Sequence, residues 1–293
     1  ARFMTCDVRT APLAGLFARS GSAAYGVFDH GAHVWAWTPD GRAPVLWMSS
    51  KSRFVPGAPV RGGVPVCFPW FGGGRSGAMT PAHGFARITE WRRGEVEDRT
   101  ESDGHLVVVH HLDSAMAAPQ PEFPHDFAAS LRVDFARDYV QIDLEVTNTG
   151  SEAFSFEAAL HSYLAVGDVR RIRLEGLDGA SYLDKAAGAP APRATQHGAI
   201  EIAGEIDRVY DSTASVSVVD PVLGRRLVVT KGGSANTVVW NPWVAKSKAM
   251  ADFGDEEWTG MICVEAANAL DHAVHVAPGA SHRMWQRIAA ERL

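Results

Sequence analysis

Two residues far apart in the chain offer acid–base chemistry. Glu265 lies in GMICVEAANAL, where the five residues before it are apolar or small and two alanines follow. A carboxylate in such a stretch loses solvation, which raises its pKa toward the range useful to a general base. Buried glutamate is rare without a partner, so the alternative is a structural ion pair with a strand arginine such as Arg173 or Arg283. His161 lies in FSFEAALHSYLAV. Strand alternation puts Phe154, Phe156, Ala158 and Leu160 on one face and Glu157, His161 and Tyr163 on the other. The imidazole then sits either on a solvent face or in a polar site cut into a sheet.

A third element is the stretch RGGVPVCFPWFGGGRSGAMTPAHGFAR, which Arg61 opens and Arg87 closes. It is too broken by Gly and Pro for a long helix and too aromatic for a loose linker. Arg61 beside two glycines offers a guanidinium and backbone N–H groups that a phosphate or carboxylate can approach. The plainer alternative is that Gly and Pro only shape a turn. No GxxxxGK[ST] or GxGxxG precedes a helix, so the stretch is neither a P-loop nor a dinucleotide fingerprint. Asp207, in GEIDRVYD, reads from spacing alone as a turn or bulge carboxylate. His110-His111 suggests a metal-bearing barrel, but no HxH with a downstream Glu and His stands at the spacing such a site needs, so no metal is expected. Tryptophans near these stretches (Trp70, Trp91, Trp240, Trp243) suit a core and also allow a sugar-stacking platform.

The elements that must carry these groups are strands. In DYVQIDLEVTNTG, Val140, Ile142, Leu144 and Val146 face one way and Gln141, Asp143, Glu145 and Thr147 the other. HLVVVHHLD alternates through Val107 and Val109, and RIRLEGLDG carries Ile172 and Leu174. ASVSVVDPVLGRRLVVTK predicts two strands around an Asp220-Pro221 to Gly224 turn. NTVVWNPW and TGMICVEAANAL are apolar enough for central strands. DHAVHVAPGASHRMWQRIA predicts a last hairpin turning at Pro278-Gly279. No helical heptad of useful length appears, and residues 184–198, DKAAGAPAPRATQHG, read as a surface loop. The expectation is one all-β domain over residues 1–293, closed as a sandwich or barrel.

The 293 residues are 46% hydrophobic and 21% charged, with a formal net charge of −6. No block of Lys/Arg stands out, so neither nucleic acid nor an anionic membrane is an expected partner. Cys6, Cys67 and Cys263 are odd in number and lack CxxC spacing, which speaks against a disulfide framework or structural zinc. With no apolar signal core near the start and no membrane-length run, a cytoplasmic protein is expected.

Six motifs in one order, RGGVPVCFPWFG, PAHGFAR, ALHSYLAVGDV, EIDRVY, VVWNPW and MICVEAANAL, span residues 61 to 270. Together they resemble the glucose-6-phosphate 1-epimerases, or hexose-6-phosphate mutarotases, of the aldose 1-epimerase superfamily. The resemblance implies a galactose-mutarotase-like β-supersandwich with few short helices. It implies His161 and Glu265 as the catalytic pair, His83 and Asp207 as sugar contacts, and Arg61 and Arg87 as phosphate ligands. Two small departures, Thr80 before the proline and Ile88-Thr89 after Arg87, lie at the rim of that pocket. The implied substrate is a small sugar phosphate, the implied enzyme is a cofactor-free isomerase, and a monomer is expected. Two rival readings stand beside it: a non-catalytic phosphosugar-binding or regulatory protein on the same fold, which would keep the arginines but could lose the acid or base, and a different enzyme, a metal-dependent β-barrel isomerase.

Overall fold

The computed structural model describes residues 13–188 and 190–293. Cys6 and most of the N-terminal stretch read for a signal core lie outside them. The described chain is built from large antiparallel sheets, as the period of two predicts. One sheet has nine strands, and Tyr139–Asn148 lies inside it between Phe127–Phe135 and Ser281–Arg292. Val140, Ile142, Leu144 and Val146 are buried as the alternation requires. Asp143, on the other face, is buried too, because Arg283 donates to its carboxylate.

The second large sheet has eight strands. Its middle is Asn236–Asn241 beside Met261–Asn268, and every residue of both is buried. Continuous apolar runs of this kind belong inside a sheet covered on both faces. Ile206–Asp211 flanks them on one side, and the short strands Ala158–Leu160 and Tyr163–Ala165 pair with Met261–Asn268 on the other. Smaller sheets are Gly15–Ser20, Ala23–Phe28 and Val34–Thr38, and Phe154–Phe156 paired with Val274–Val276. The one α-helix among the described residues, Trp243–Ala249, is seven residues long. No helix among them is long and apolar enough to cross a membrane.

Four local readings need correction. HLVVVHHLD does alternate, but its more deeply buried face is Leu106, Val108, His110 and Leu112; on the other face Val107 is buried and Val109 only half-buried. The turn at Pro278-Gly279 forms, yet its arms do not pair with each other. Val274–Val276 joins Phe154–Phe156, and Ser281–Arg292 joins Tyr139–Asn148. FSFEAALHSYLAV is three short strands rather than one, interrupted at Glu157 and at His161-Ser162. The stretch 184–198 is not bare loop: it holds the 3₁₀ turn Lys185–Ala187 and the strand Arg193–Thr195.

Candidate active site

The interruption at His161-Ser162 sets the position of the histidine. Pro65 O accepts from His161 N at 3.0 Å, and Val264 N donates to Ser162 O at 3.2 Å. Gln286, from the nine-stranded sheet, ties the same point from behind. Ser162 Oγ donates to its Oε1, and its Nε2 donates to Val264 O at 3.0 Å. The residue after His161 and the residue before Glu265 are thereby held by one buried amide. The His161 ring lies flat on Tyr163, centroids 4.8 Å apart at 15°, with Trp240 edge-on at 5.9 Å.

Glu265 projects from the neighbouring strand. Its Oε2 is 3.7 Å from His161 Nε2, beyond a hydrogen bond, and the two side chains are only 1% and 9% exposed. Glu265 Oε1 and His161 Nδ1 have no hydrogen-bond partner. The structural alternative for this glutamate is not realised. Arg173 pairs with Glu175 at 2.8 Å and Arg283 with Asp143. Burial drives the Glu265 carboxyl well above its ordinary 4.5, and the nearby Asp207 charge adds to the push. Burial likewise pushes His161 down to about 3, and Arg61 and Arg87 press the same way. These shifts favour a protonated Glu265 beside a neutral His161.

A cleft of about 180 Å³ opens on this pair, lined by Arg61, His83, Asp207, Lys185, Phe71 and Trp240 among others. Asp207 stands on Ile206–Asp211 opposite Trp240, not in a turn or bulge, and burial raises its carboxyl. His83 has φ +65, and its Nδ1 accepts from Gly72 N–H at 2.9 Å. That bond leaves the ring hydrogen on Nε2, so a neutral His83 can donate into the cleft. Burial, above all, holds it well below 6.5.

The two arginines differ. Arg61 lines the cleft, donates to both oxygens of Asp252 at 3.2 Å, and donates to Tyr163 OH at 3.1 Å. Arg87 donates to Ala82 O at 2.9 Å and buries an unpartnered Nε. It is not among the lining residues, although its charge is felt at His83 and His161. The glycines after Arg61 serve packing rather than a ligand. A Cβ on Gly63 would stand 2.2 Å from Val34 O, and Gly63 N–H is taken by Trp47 O at 2.8 Å. Lys185 and Asp252 were not singled out from sequence; one sits in the Ala/Pro/Gly-rich stretch and the other in no recognisable motif.

Metal ligation has one possible donor set here. His161, Cys263 and Glu265 each offer an atom within 4.8 Å of the others. Burial raises the Cys263 thiol well above 9.0, so a cation would have to displace its proton. His110 is not part of this set, and its Nε2 is bonded to Asp29 at 2.8 Å. A larger groove of about 360 Å³ runs along residues 114–127, but prolines and alanines make up much of its wall.

A buried carboxyl and imidazole facing each other without a satisfying partner, at the floor of a polar cleft, is an acid–base arrangement. Residues 20–289 match the aldose 1-epimerase family. The chain belongs to that family. It is 34% identical over 265 residues to a Cenchrus ciliaris protein named "Putative glucose-6-phosphate 1-epimerase", covering 88% of this chain and 78% of that one. It is 35% identical over 240 residues to a Salmonella typhimurium protein of the same name, covering 82% and 78%. Among solved structures, a Salmonella typhimurium protein described as a "putative mutarotase" superposes with a TM-score of 0.85 at 27% identity, over 99% of this chain and 97% of the other. A galactose mutarotase related enzyme from Lactobacillus acidophilus shares the fold, with a TM-score of 0.70 at 13% identity over 94% and 97% of the two chains. The aldose 1-epimerase chain thus has the galactose-mutarotase-like β architecture that its motifs implied.

Proposed function

We propose that this protein is a hexose-6-phosphate mutarotase, exchanging the α and β anomers of glucose 6-phosphate or a related aldohexose 6-phosphate. The observation that carries the reading is the His161–Glu265 pair, buried, unsatisfied and 3.7 Å apart beneath a cleft bearing cationic side chains. The names of the relatives support the same substrate class.

Anomer exchange breaks the C1–O5 bond and remakes it from the other face. As the ring opens, a base takes the C1 hydroxyl proton, C1–O1 becomes a carbonyl, and an acid gives a proton to O5. The aldehyde turns about C1–C2, O5–H attacks the opposite face, and both protons return. The pair therefore needs one proton shared between two sites. A carboxylic acid with a neutral imidazole, or a carboxylate with an imidazolium, holds the same proton count. Burial of both groups favours the first arrangement, so Glu265 is poised to protonate O5 and His161 to accept from O1. His83 and Asp207 would hold ring hydroxyls. Binding of the remote phosphate by cations, Arg61 and Arg87 among them, would position C1 over the pair.

The test is exchange spectroscopy by NMR on glucose 6-phosphate and on free glucose with micromolar protein. Faster exchange of the phosphorylated sugar than in buffer is expected. No acceleration would overturn the reading.

A further inference from the structure

Three cations line the cleft: Arg61, Lys185 and Lys246. Two of them are already compensated. Arg61 is held by Asp252 at 3.2 Å, and Lys246 Nζ is 3.3 Å from Glu205. Lys185 is exposed and makes neither an ion pair nor a hydrogen bond with any of the described residues, but its ammonium rests against an aromatic ring of the cleft. Its Nζ lies 5.0 Å from the Phe71 ring centroid, over the ring. It also lies 3.9 Å from the point where a Cβ would stand on Gly72, whose N–H fixes the His83 tautomer. The turn that presents it is anchored by Asp184, whose Oδ1 accepts from Ala186 N at 3.2 Å.

We propose that Lys185 binds the substrate's phosphate ester and sets the preference for phosphorylated over free sugar. The proposal rests on the reading of the cleft as a sugar-phosphate site. Arg61 can add hydrogen bonds from N–H groups not used by Asp252 and Tyr163, but its charge is already met. Lys185 is the lining cation whose charge is left for an incoming anion. A phosphate there gains a charge-assisted contact without breaking an existing pair. The long flexible stem lets the ammonium follow the phosphate while the Phe71 face keeps it near the cleft when empty.

The experiment compares the full chain with Lys185→Met and Lys185→Arg, on glucose 6-phosphate and on glucose. Lys185→Met is expected to raise KM for the phosphorylated sugar by about 10- to 100-fold, the range of one charge-assisted hydrogen bond. It should leave kcat within about twofold and free glucose unaffected, and Lys185→Arg should restore most of the loss. Binding of inorganic phosphate, read by ³¹P NMR, should weaken in Lys185→Met by a similar factor. An unchanged KM, equal losses on both sugars, or a fall in kcat alone would each overturn the proposal. If the wild-type chain fails to exchange glucose 6-phosphate, the mutarotase reading falls. The phosphate titration then still decides whether Lys185 holds the anion.

Discussion

Both large sheets bury a histidine beside a carboxylate, and they treat the pair oppositely. In the nine-stranded sheet His110 Nε2 is bonded to Asp29 Oδ1 at 2.8 Å, and Arg93 stands 3.5 Å from the other oxygen. Asp29 is also tied through its backbone to Ala14, Ala32 and Trp91. In the eight-stranded sheet His161 and Glu265 face each other at 3.7 Å, with no arginine on the glutamate and one carboxyl oxygen unpartnered. Each imidazole leaves its Nδ1 without a partner, so the difference lies on the carboxylate side. One pair is closed by hydrogen bonds and holds chain segments 81 residues apart. The other is kept open, and an unsatisfied buried polar group is a destabilising feature that persists where it serves chemistry.

Substitutions should separate the two pairs, and the largest effect belongs to the open one. His161→Asn removes the proposed proton acceptor and should lower anomer exchange by about 10²–10⁴-fold, the usual range for an acid–base group. Circular dichroism should show the fold intact; retention of most of the rate would remove His161 from its role. Arg61→Ala comes next. It deletes a cation and leaves Asp252 facing the anion, so exchange of glucose 6-phosphate should suffer at least about tenfold more than that of glucose. Equal losses on the two sugars would argue against an anion at this end of the cleft. Asp29→Asn, in the closed pair, should do the reverse. Stability should fall by about 1–3 kcal/mol through the bonds to His110 and Arg93, with exchange by the folded protein unchanged. A chemical denaturation curve beside a rate measurement checks both halves.

The smallest effect is the pH response. On the proposed mechanism the exchanging form holds one proton between His161 and Glu265. The imidazole is held near 3, so activity should persist well below 6.5. The carboxyl is raised above 4.5, so kcat/KM should fall on the alkaline side as that proton is lost. The same shift acts on stability. Folded Glu265 binds its proton more tightly than unfolded Glu265, so its contribution is lost as pH rises from 4.5 through the raised value. An alkaline plateau with an acid limb near 6.5 would contradict this assignment.

Much of this contrast was legible in the sequence, for physical reasons that also mark where legibility stops. Tyr139–Asn148 shows its buried face because one side of the strand meets the core and the other does not. Glu265 stands out because a carboxylate inside a fully apolar strand has no local means of staying solvated. The partner of His110 lies 81 residues away, and the adjacent His110-His111 suggested metal instead. The alternation of HLVVVHHLD is legible but its deeper face is not, because Val107 is buried as well, on the side opposite Leu106 and Val108. The pairing of Val274–Val276 with Phe154–Phe156 depends on where two sheets meet, which no local pattern encodes. Lys185 was hidden by its setting, since an Ala/Pro/Gly-rich stretch has the composition of any surface connection. His83 was singled out through the family motifs, but its capacity to donate from Nε2 became visible only with the Gly72 bond to its Nδ1.

The claim that the open pair is maintained for chemistry at the expense of stability is tested most directly by Glu265→Gln, with exchange rate and Tm measured on the same sample at pH 8. The amide keeps the shape of the side chain and removes the buried acid. Loss of anomer exchange together with an unchanged or higher Tm is the predicted result. Retained exchange, or a Tm that falls as a closed structural pair would make it fall, would contradict it.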